Sequence, residues 1–318
     1  MKRSTEREVE LAALPGFRLP LLGVPPVRLH PGSQAGDAVR AALAAGVARL
    51  LRHDPGVRIG DDPEDVHQAR VATRRLRSDL RTFRSLLDQA QAEPLRDELK
   101  WAADLLGDVR DADVLLQRLC TQADRLPQRD AAAVATLVGR LVGERDEART
   151  RLLDGFRSDR YVALVERLVE FARVPPLVGS WAEPARDVLP GLVSPTWKDL
   201  RNAVDDVDEQ PSPEQLHAVR IKAKRCRYAS EAVAPAIGKD AARLASAVAD
   251  VQSLLGDHHD AHVAEEWLRD AVAGADVSHG VAAGELIALQ RLEAAALERR
   301  WPATWKEASR KKLRRWLD

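Results

Sequence analysis

A repeated basic motif constrains this sequence more than any other feature. Residues 63–84 are PEDVHQARVATRRLRSDLRTFR and residues 213–228 are PEQLHAVRIKAKRCRY. The alignment matches a histidine and four basic residues in each copy: His67, Arg70, Arg74, Arg75 and Arg77 with His217, Arg220, Lys224, Arg225 and Arg227. A second motif follows each copy, LLGDVRDADV at 105–114 and LLGDHHDAHV at 254–263. We therefore predict two related halves, each carrying one motif pair.

The composition favours packed helices. Aromatic residues make up only 4% of the 318 residues, which fits helices better than β-sandwiches or barrels. Five prolines lie in the segment 174–195, which is the strongest linker candidate. We predict an all-α protein with an extended N-terminal arm at 1–35, a first helical bundle at 36–173, a linker at 174–195 and a second bundle at 196–318.

Helix-start signals precede both copies of the basic motif. Asp62 is placed to cap a helix that begins at Pro63, and Ser212 to cap one that begins at Pro213. Gln215 would complete a capping box in the second copy.

Prolines and glycines suggest where helices end. The first basic helix should run to about Gln91 and the second should stop before Pro235, while an earlier helix over 37–52 should break near Pro55. Separate helices are predicted before and after each second motif, at 95–106, 111–124, 239–255 and 259–273.

Each basic motif has a cationic and an apolar side when placed on a helix. At about 100° per residue, the cations of the first copy share one sector: His67, Arg70, Arg74, Arg77, Arg81 and Arg84. The apolar residues share another: Ala69, Ala72, Leu76, Leu80, Phe83 and Leu87. His217, Arg220, Lys224 and Arg227 take the cationic sector in the second copy, whereas Arg75 and Arg225 point elsewhere.

Stacked cations on a helix need compensation, because like charges at this spacing destabilise it by roughly a few tenths of a kcal/mol per pair. Solvation of the cationic face by water is one way in which this cost is offset. Internal acids are another, with Asp108, Asp111, Asp257 and Asp260 capping helices or orienting the basic side chains. Arginine binds phosphate oxygens in a bidentate manner. The duplication favours two cationic rows that converge on one linear phosphate polymer.

The paired motifs resemble those of the CHAD family, the conserved histidine α-helical domain, from about Gly36 to the C-terminus. The resemblance implies two related four-helix bundles with pseudo-two-fold symmetry around a basic central channel that binds inorganic polyphosphate. It implies binding roles for the five basic positions of each copy, and Tyr228 and Glu231 also match the family pattern. Arg110 matches a recurring base, but the second copy has His259 there. We add Arg81 to the predicted binding residues because it lies in the same cationic sector of the helix.

The overall charge and the cysteines exclude several alternatives. Lys plus Arg and Asp plus Glu both total 49, so any polyanion site must be local. Cys120 and Cys226 form no CxxC pair, and no apolar run approaches the ~20 residues that span a bilayer. We expect a cytoplasmic protein that has no membrane partner and that associates with polyphosphate granules. Only Phe83 and Tyr228 could stack on bases, so no specific nucleic acid partner is expected.

A metal site is the leading alternative. His258 and His262 have the i, i+4 spacing that places two imidazoles on one helix face, and Asp257, His259 and Asp260 lie beside them. The first copy opposes this hypothesis because Arg110 stands among the equivalent positions.

No phosphate-binding glycine loop or nucleophile elbow is present in the sequence. We therefore assign no catalytic residue and no cofactor. Because Arg110 opposes a metal in the first copy, we also assign no metal ligand. A phosphohistidine domain and a scaffold for acidic partners remain further alternatives.

Overall fold

The structure is a computed structural model that describes residues 24–60, 62–274 and 276–317. These residues form α-helices and short 3-10 turns, with no β-strand among them, so the predicted all-α class is confirmed. The α-helices are α1 (Ala35–Ile59), α2 (Pro63–Thr82), α3 (Gln89–Ala123), α4 (Ala131–Arg157), α5 (Asp159–Arg173), α6 (Ala185–Asp205), α7 (Pro213–Ile237), α8 (Lys239–Ala271) and α9 (Val277–Ala308). Most of the predicted N-terminal arm, 1–23, lies outside the described residues, and 24–34 contain no helix.

The described chain divides into two compact units. One unit contains residues 24–110 and 146–188, and the other contains residues 111–145 and 189–317. These units differ from the consecutive halves predicted at 36–173 and 196–318, because α3 and α4 each contribute residues to both. The first basic motif and the second basic motif lie in different units.

Both basic motifs begin helices at the predicted caps. The Asp62 carboxylate accepts a hydrogen bond from the Glu64 amide at 2.8 Å, and Pro63 is the first residue of α2. In the second copy, the Ser212 hydroxyl accepts from the Gln215 amide at 3.3 Å while the Gln215 side chain accepts from the Ser212 amide at 3.0 Å. This reciprocal capping box holds the start of α7.

Helix α2 ends earlier than predicted. It stops at Thr82 instead of about Gln91, and the chain turns through a 3-10 segment at Arg84–Leu86. Phe83, Leu86 and Leu87 are all buried, and Leu87 forms an isolated antiparallel bridge with Leu177. Burial of three apolar side chains in this turn outweighs continuation of the helix. Arg84 therefore lies beyond the helix that was predicted to carry it.

Helix α1 continues through Pro55, where a break was expected. A proline inside a helix costs about 3 kcal/mol, but Val57 is fully buried in the following turn. The buried Asp54 carboxylate accepts hydrogen bonds from Arg58 at 2.8 Å and from the Tyr161 hydroxyl of α5 at 2.7 Å. These contacts stabilise the last two turns of α1.

The second half of the predicted linker is helical. Residues 185–195 belong to α6, which contains Pro190 and Pro195. The residues at i, i+4, i+8 and i+11 along this helix are buried: Leu189, Val193, Trp197 and Leu200. This apolar stripe explains why packing prevails over the proline signal.

The two second motifs lie inside long helices instead of between shorter ones. Helix α3 continues through Gly107 and α8 through Gly256, although glycine inside a helix costs about 1 kcal/mol relative to alanine. The predicted N-capping role of Asp108, Asp111, Asp257 and Asp260 is therefore wrong, since all four are in helix interiors.

None of the described helices combines the length and the apolar composition needed to cross a membrane.

Candidate anion-binding site

Helix α2 separates a buried face from a cationic face, as its sequence indicates. Val66, Ala69, Ala72, Leu76 and Leu80 are buried, with at most 3% of each exposed. The cationic face carries His67, Arg70, Arg74, Arg77 and Arg81, which we call the first basic row. Its members are partly buried except Arg81, which is exposed.

His67 sits among cations that come from two helices. Burial lowers the pKa of its imidazole, and Arg110 of α3 lowers it further, as do Arg70 and Arg74 of its own helix. The second motif thus supplies Arg110 to the surroundings of the signature histidine. An anion bound here would oppose these effects and favour the imidazolium, which donates two hydrogen bonds.

The glycine of each second motif lies beneath an arginine of the basic motif. A Cβ atom built on Gly107 would be 3.9 Å from both Nε and Nη2 of Arg70. A Cβ atom on Gly256 would be 3.7 Å from Nε of Arg220. A methyl group would make only an ordinary contact at these distances, but a longer side chain would compete with each guanidinium for its place on the neighbouring helix. The two motifs of each copy are therefore parts of one packing unit.

Arg74 and Arg77 have no carboxylate partner at ion-pair distance in the described part of the chain. The Nε atom of Arg77 is buried and has no hydrogen-bond acceptor there. Burial lowers the pKa of Arg77, with Arg96 and Arg74 adding to the effect while Asp104 and Asp97 oppose it.

Two charged neighbours of Arg77 form ion pairs with other residues. Asp104 pairs with Lys100 at 2.8 Å, and the nearby Arg96 pairs with Glu93 at 2.8 Å. The middle of the first basic row thus presents two cations, Arg74 and Arg77, that the described acids of its unit compensate only from beyond ion-pair distance.

In the second copy, two histidines face each other where the first copy has a histidine and an arginine. Nδ1 of His217 is 3.1 Å from Nδ1 of His259 in α8. Burial and the cations Arg220 and Lys224 lower the pKa of His217, and burial with Arg220 lowers the pKa of His259 to about 4. Both rings are neutral at pH 7, so one donates the shared hydrogen bond and the other accepts it.

In the second copy, a carboxylate neutralises the last cation of the basic face. We call His217, Arg220, Lys224 and Arg227 the second basic row. Arg227 Nε donates to the Glu231 carboxylate at 2.7 Å, and its Nη1 donates to Gln252 of α8 at 3.4 Å. The residue that corresponds to Glu231 in the first copy is Arg81. One position thus carries opposite charges in the two copies.

The acids of the second motifs have different surroundings. Burial raises the pKa values of Asp257 and Asp260, while Arg118 and Arg220 act in the opposite direction on both. Asp260 therefore lies in the electrostatic neighbourhood of Arg220, in agreement with an orienting role. Asp108 instead approaches Arg151 of α4 at 3.9 Å.

The remaining predicted site residues are more peripheral. Arg75, Arg225 and Tyr228 are partly buried. The Arg227 guanidinium carbon lies 5.7 Å from the centre of the adjacent Tyr228 ring. Phe83 is fully buried, so it is not available to stack on a nucleic acid base.

The histidines of the second motif separate onto two sides of α8. His259 faces His217, whereas His258 and His262 lie together with Glu298 of α9. Sequence analysis found the two histidines but not Glu298, since 36 residues separate it from His262 and no local pattern marks it.

Sequence analysis also missed the packing role of Gly107 and Gly256 and the supporting position of Gln252. The repetition of LLGD was the available signal for the glycines, because a glycine at the same motif position in both copies suggests a packing role.

The helices and the repeated basic motif define a class of helical proteins that carry paired cationic surfaces. The CHAD domain family model matches residues 41–269, which is most of the chain. The protein belongs to the CHAD family.

Two solved structures are similar to this chain. PptA from Streptomyces chartreusis is 25% identical with a TM-score of 0.72, and the match covers 86% of this chain and 100% of PptA. The crystal structure of the CHAD domain from the plant Ricinus communis is 26% identical with a TM-score of 0.68, covering 90% of this chain and 96% of the plant domain.

Curated relatives are longer than this chain. The uncharacterized proteins Rv2226 and MT2285, from two strains of Mycobacterium tuberculosis, are each 34% identical over 244 residues. The match covers 73% of this chain and 45% of each relative. The chain therefore spans about half the length of the curated relatives it matches.

Proposed function

We propose that this protein binds inorganic polyphosphate through the basic residues of α2 and α7, without turning it over. The resemblance of its motifs to the CHAD family suggests this ligand. Arginine suits it chemically, because a guanidinium stays charged at all working pH values and binds phosphate oxygens in a bidentate manner.

The observation that carries the proposal is the pair Arg74 and Arg77. Both are partly buried cations without a carboxylate at ion-pair distance in the described chain. Helical spacing places successive members of the row about 5–6 Å apart. A phosphate polymer supplies repeated negative charges along a line, so it can neutralise several members of the row at once.

Bare polyphosphate fits better than nucleic acid. Proteins that bind single strands stack bases on exposed aromatic side chains. Phe83 is buried, and Tyr228 is partly buried beside Arg227. The rows thus offer phosphate contacts with little provision for bases.

The proposal also includes a cellular role. A cytoplasmic protein with this activity would associate with polyphosphate granules and would need no further cofactor. Membrane binding and enzymatic activity form no part of the proposal.

A titration of the full chain with long-chain polyphosphate, triphosphate and single-stranded DNA tests it. We expect polyphosphate to bind most tightly. Its affinity should fall steeply with added salt, because bound phosphates release their counterions. Replacing Arg70, Arg74, Arg220 and Lys224 by Ala should weaken this binding with little change in far-UV circular dichroism.

Two results would contradict the proposal. Equal affinity for all three ligands would indicate generic attraction between charges, and unchanged binding by the quadruple variant would place the site elsewhere. Release of orthophosphate from polyphosphate by the purified chain would contradict the non-enzymatic part alone.

A further inference from the structure

A second group of polar side chains lies in the same unit as the second basic row. His258 and His262 are one turn apart on α8, and Glu298 approaches them from α9. His258 Nε2 is 3.1 Å from Glu298 Oε1 and 3.3 Å from His262 Nε2. The three ligand-type atoms all lie within 4.8 Å of one another.

We propose that His258, His262 and Glu298 bind a divalent transition metal ion, with Zn²⁺ as the expected occupant. Zinc sites commonly use imidazole nitrogens and carboxylate oxygens in a tetrahedral arrangement. Bonds of 2.0–2.1 Å place two ligand atoms of a tetrahedron about 3.3 Å apart. The two short distances around His258 Nε2 match that separation.

Hydrogen bonding alone explains the cluster poorly. His258 Nε2 faces both the Glu298 carboxylate and the His262 nitrogen, but a neutral ring nitrogen carries either one hydrogen or one lone pair. If it donates to Glu298, it has no lone pair to accept a hydrogen bond from His262, and the two contacts would have to share one bifurcated N–H. A metal ion accepts electron pairs from all three atoms together, which removes this conflict.

Burial strengthens the argument. The His258 side chain is only 2% exposed, whereas that of Glu298 is 35% exposed. The site is therefore anchored in the core and open on the α9 side, through which an ion can enter. Glu265, on the same helix, pairs instead with Arg269 and Arg291.

The site has ligands without an evident catalytic base. In the zinc protease motif HExxH, a glutamate follows the first histidine, but here that residue is His259, which hydrogen-bonds to His217. A metal at this position would link α8 to α9. Three protein ligands leave the fourth tetrahedral position to water. We assign the ion no catalytic step, and this proposal is independent of the polyphosphate proposal.

The first motif copy lacks this set of ligands. Val109 and Asp113 occupy the positions of His258 and His262, and the Asp113 carboxylate accepts a hydrogen bond from Arg145 at 2.7 Å. Only the second motif copy therefore combines two imidazoles with a facing carboxylate.

The test is a zinc titration of the untagged full chain against a chromophoric chelator. We expect one tightly bound equivalent and a rise in melting temperature, because a ligand that binds only the folded state stabilises it. Co²⁺ should give the intense visible absorption of a tetrahedral complex. His262→Gln and Glu298→Gln should each weaken zinc binding by at least about 100-fold, since loss of outer-shell partners alone costs 10- to 100-fold.

His259→Gln is the matched control, because it removes a neighbouring imidazole from the same helix and leaves the three ligands in place. It should retain zinc affinity. Metal-free melting curves check that all three variants fold. Absence of a bound equivalent in the wild type would overturn the proposal, as would wild-type affinity in both His262→Gln and Glu298→Gln or loss of zinc only in His259→Gln.

Discussion

The two copies of the basic motif have the same local architecture and different charge balance. In each copy an arginine lies above a glycine of the neighbouring helix, Arg70 over Gly107 and Arg220 over Gly256. The first copy leaves Arg74 and Arg77 without carboxylate partners at ion-pair distance in the described chain. The second pairs Arg227 with Glu231.

The histidine of the first copy likewise has more cationic surroundings than that of the second. His67 has Arg110 as its neighbour from the second motif, whereas His217 has the neutral His259. Duplication has therefore preserved the packing of helices while the electrostatic surroundings diverged. If the protein binds a polyanion, the first basic row should contribute more to affinity than the second.

The largest expected effect comes from removing cations in each row separately. Arg74→Ala with Arg77→Ala should weaken polyphosphate binding about 100-fold, at roughly tenfold for each charge-assisted hydrogen bond lost. Lys224→Ala with Arg227→Ala should cost only about tenfold, because Glu231 already neutralises Arg227. Titration calorimetry at one salt concentration measures both losses.

Arg129→Ala with Arg186→Ala is a suitable control, since it removes the same charge from exposed positions outside both rows. Its affinity should remain close to that of the wild type. Equal losses in the two row variants would show that charge compensation does not distinguish the copies.

An intermediate effect is expected at the glycines. Gly107→Leu should push the Arg70 guanidinium from its place and weaken binding by about tenfold, while overpacking costs about 1–3 kcal/mol of stability. Gly256→Leu should act in the same way on Arg220 but reduce affinity less. Calorimetric titration and thermal melts measure the two quantities.

Alanine provides the control at the same positions. At Gly107 a Cβ atom would make an ordinary contact at 3.9 Å, and alanine favours helix over glycine by up to about 1 kcal/mol. Gly107→Ala should therefore bind normally and melt at a higher temperature. A comparable loss of binding in the alanine and leucine variants would contradict the proposed packing.

The smallest expected effect is the pH dependence that His259 contributes in the second copy. The pKa of His259 is about 4 in the folded protein, compared with an ordinary value of 6.5. Between these values the unfolded chain binds more protons than the folded one, so stability falls as pH drops from 6.5 towards 4. His259→Gln lacks this contribution, and its melting temperature should fall less over the same range.

Melting curves of both proteins across this pH range check the prediction. Groups distant from His259 titrate alike in both proteins, so the difference between the two curves reports on His259 and its hydrogen-bond partner His217. Parallel curves would show that His259 is not held neutral by its surroundings.

The motif positions and the beginnings of the basic helices could be predicted from local sequence. Asp62 and Ser212 cap their helices through contacts within three residues, and such contacts depend little on the rest of the fold. The amphipathic pattern of α2 likewise identified its buried face.

Helix ends were harder to predict where long-range packing opposed local preference. Pro55, Pro190, Pro195 and Pro235 lie inside helices because apolar residues near them are buried. Helix α7 continues to Ile237, so the predicted end before Pro235 is wrong. Gly107 and Gly256 appeared to separate helices, but they lie within them and accommodate arginines.

The composition indicated an all-α protein, and the repeat with its helical periodicity indicated two cationic helices, because spacing along one helix determines which side chains share a face. The partners of those side chains depend on contacts between distant segments. Folding brings His259 to His217 and Glu298 to His258 across about 40 residues each. Residue types alone could not distinguish an exposed cation from a compensated one, since charge compensation depends on distance and burial in three dimensions.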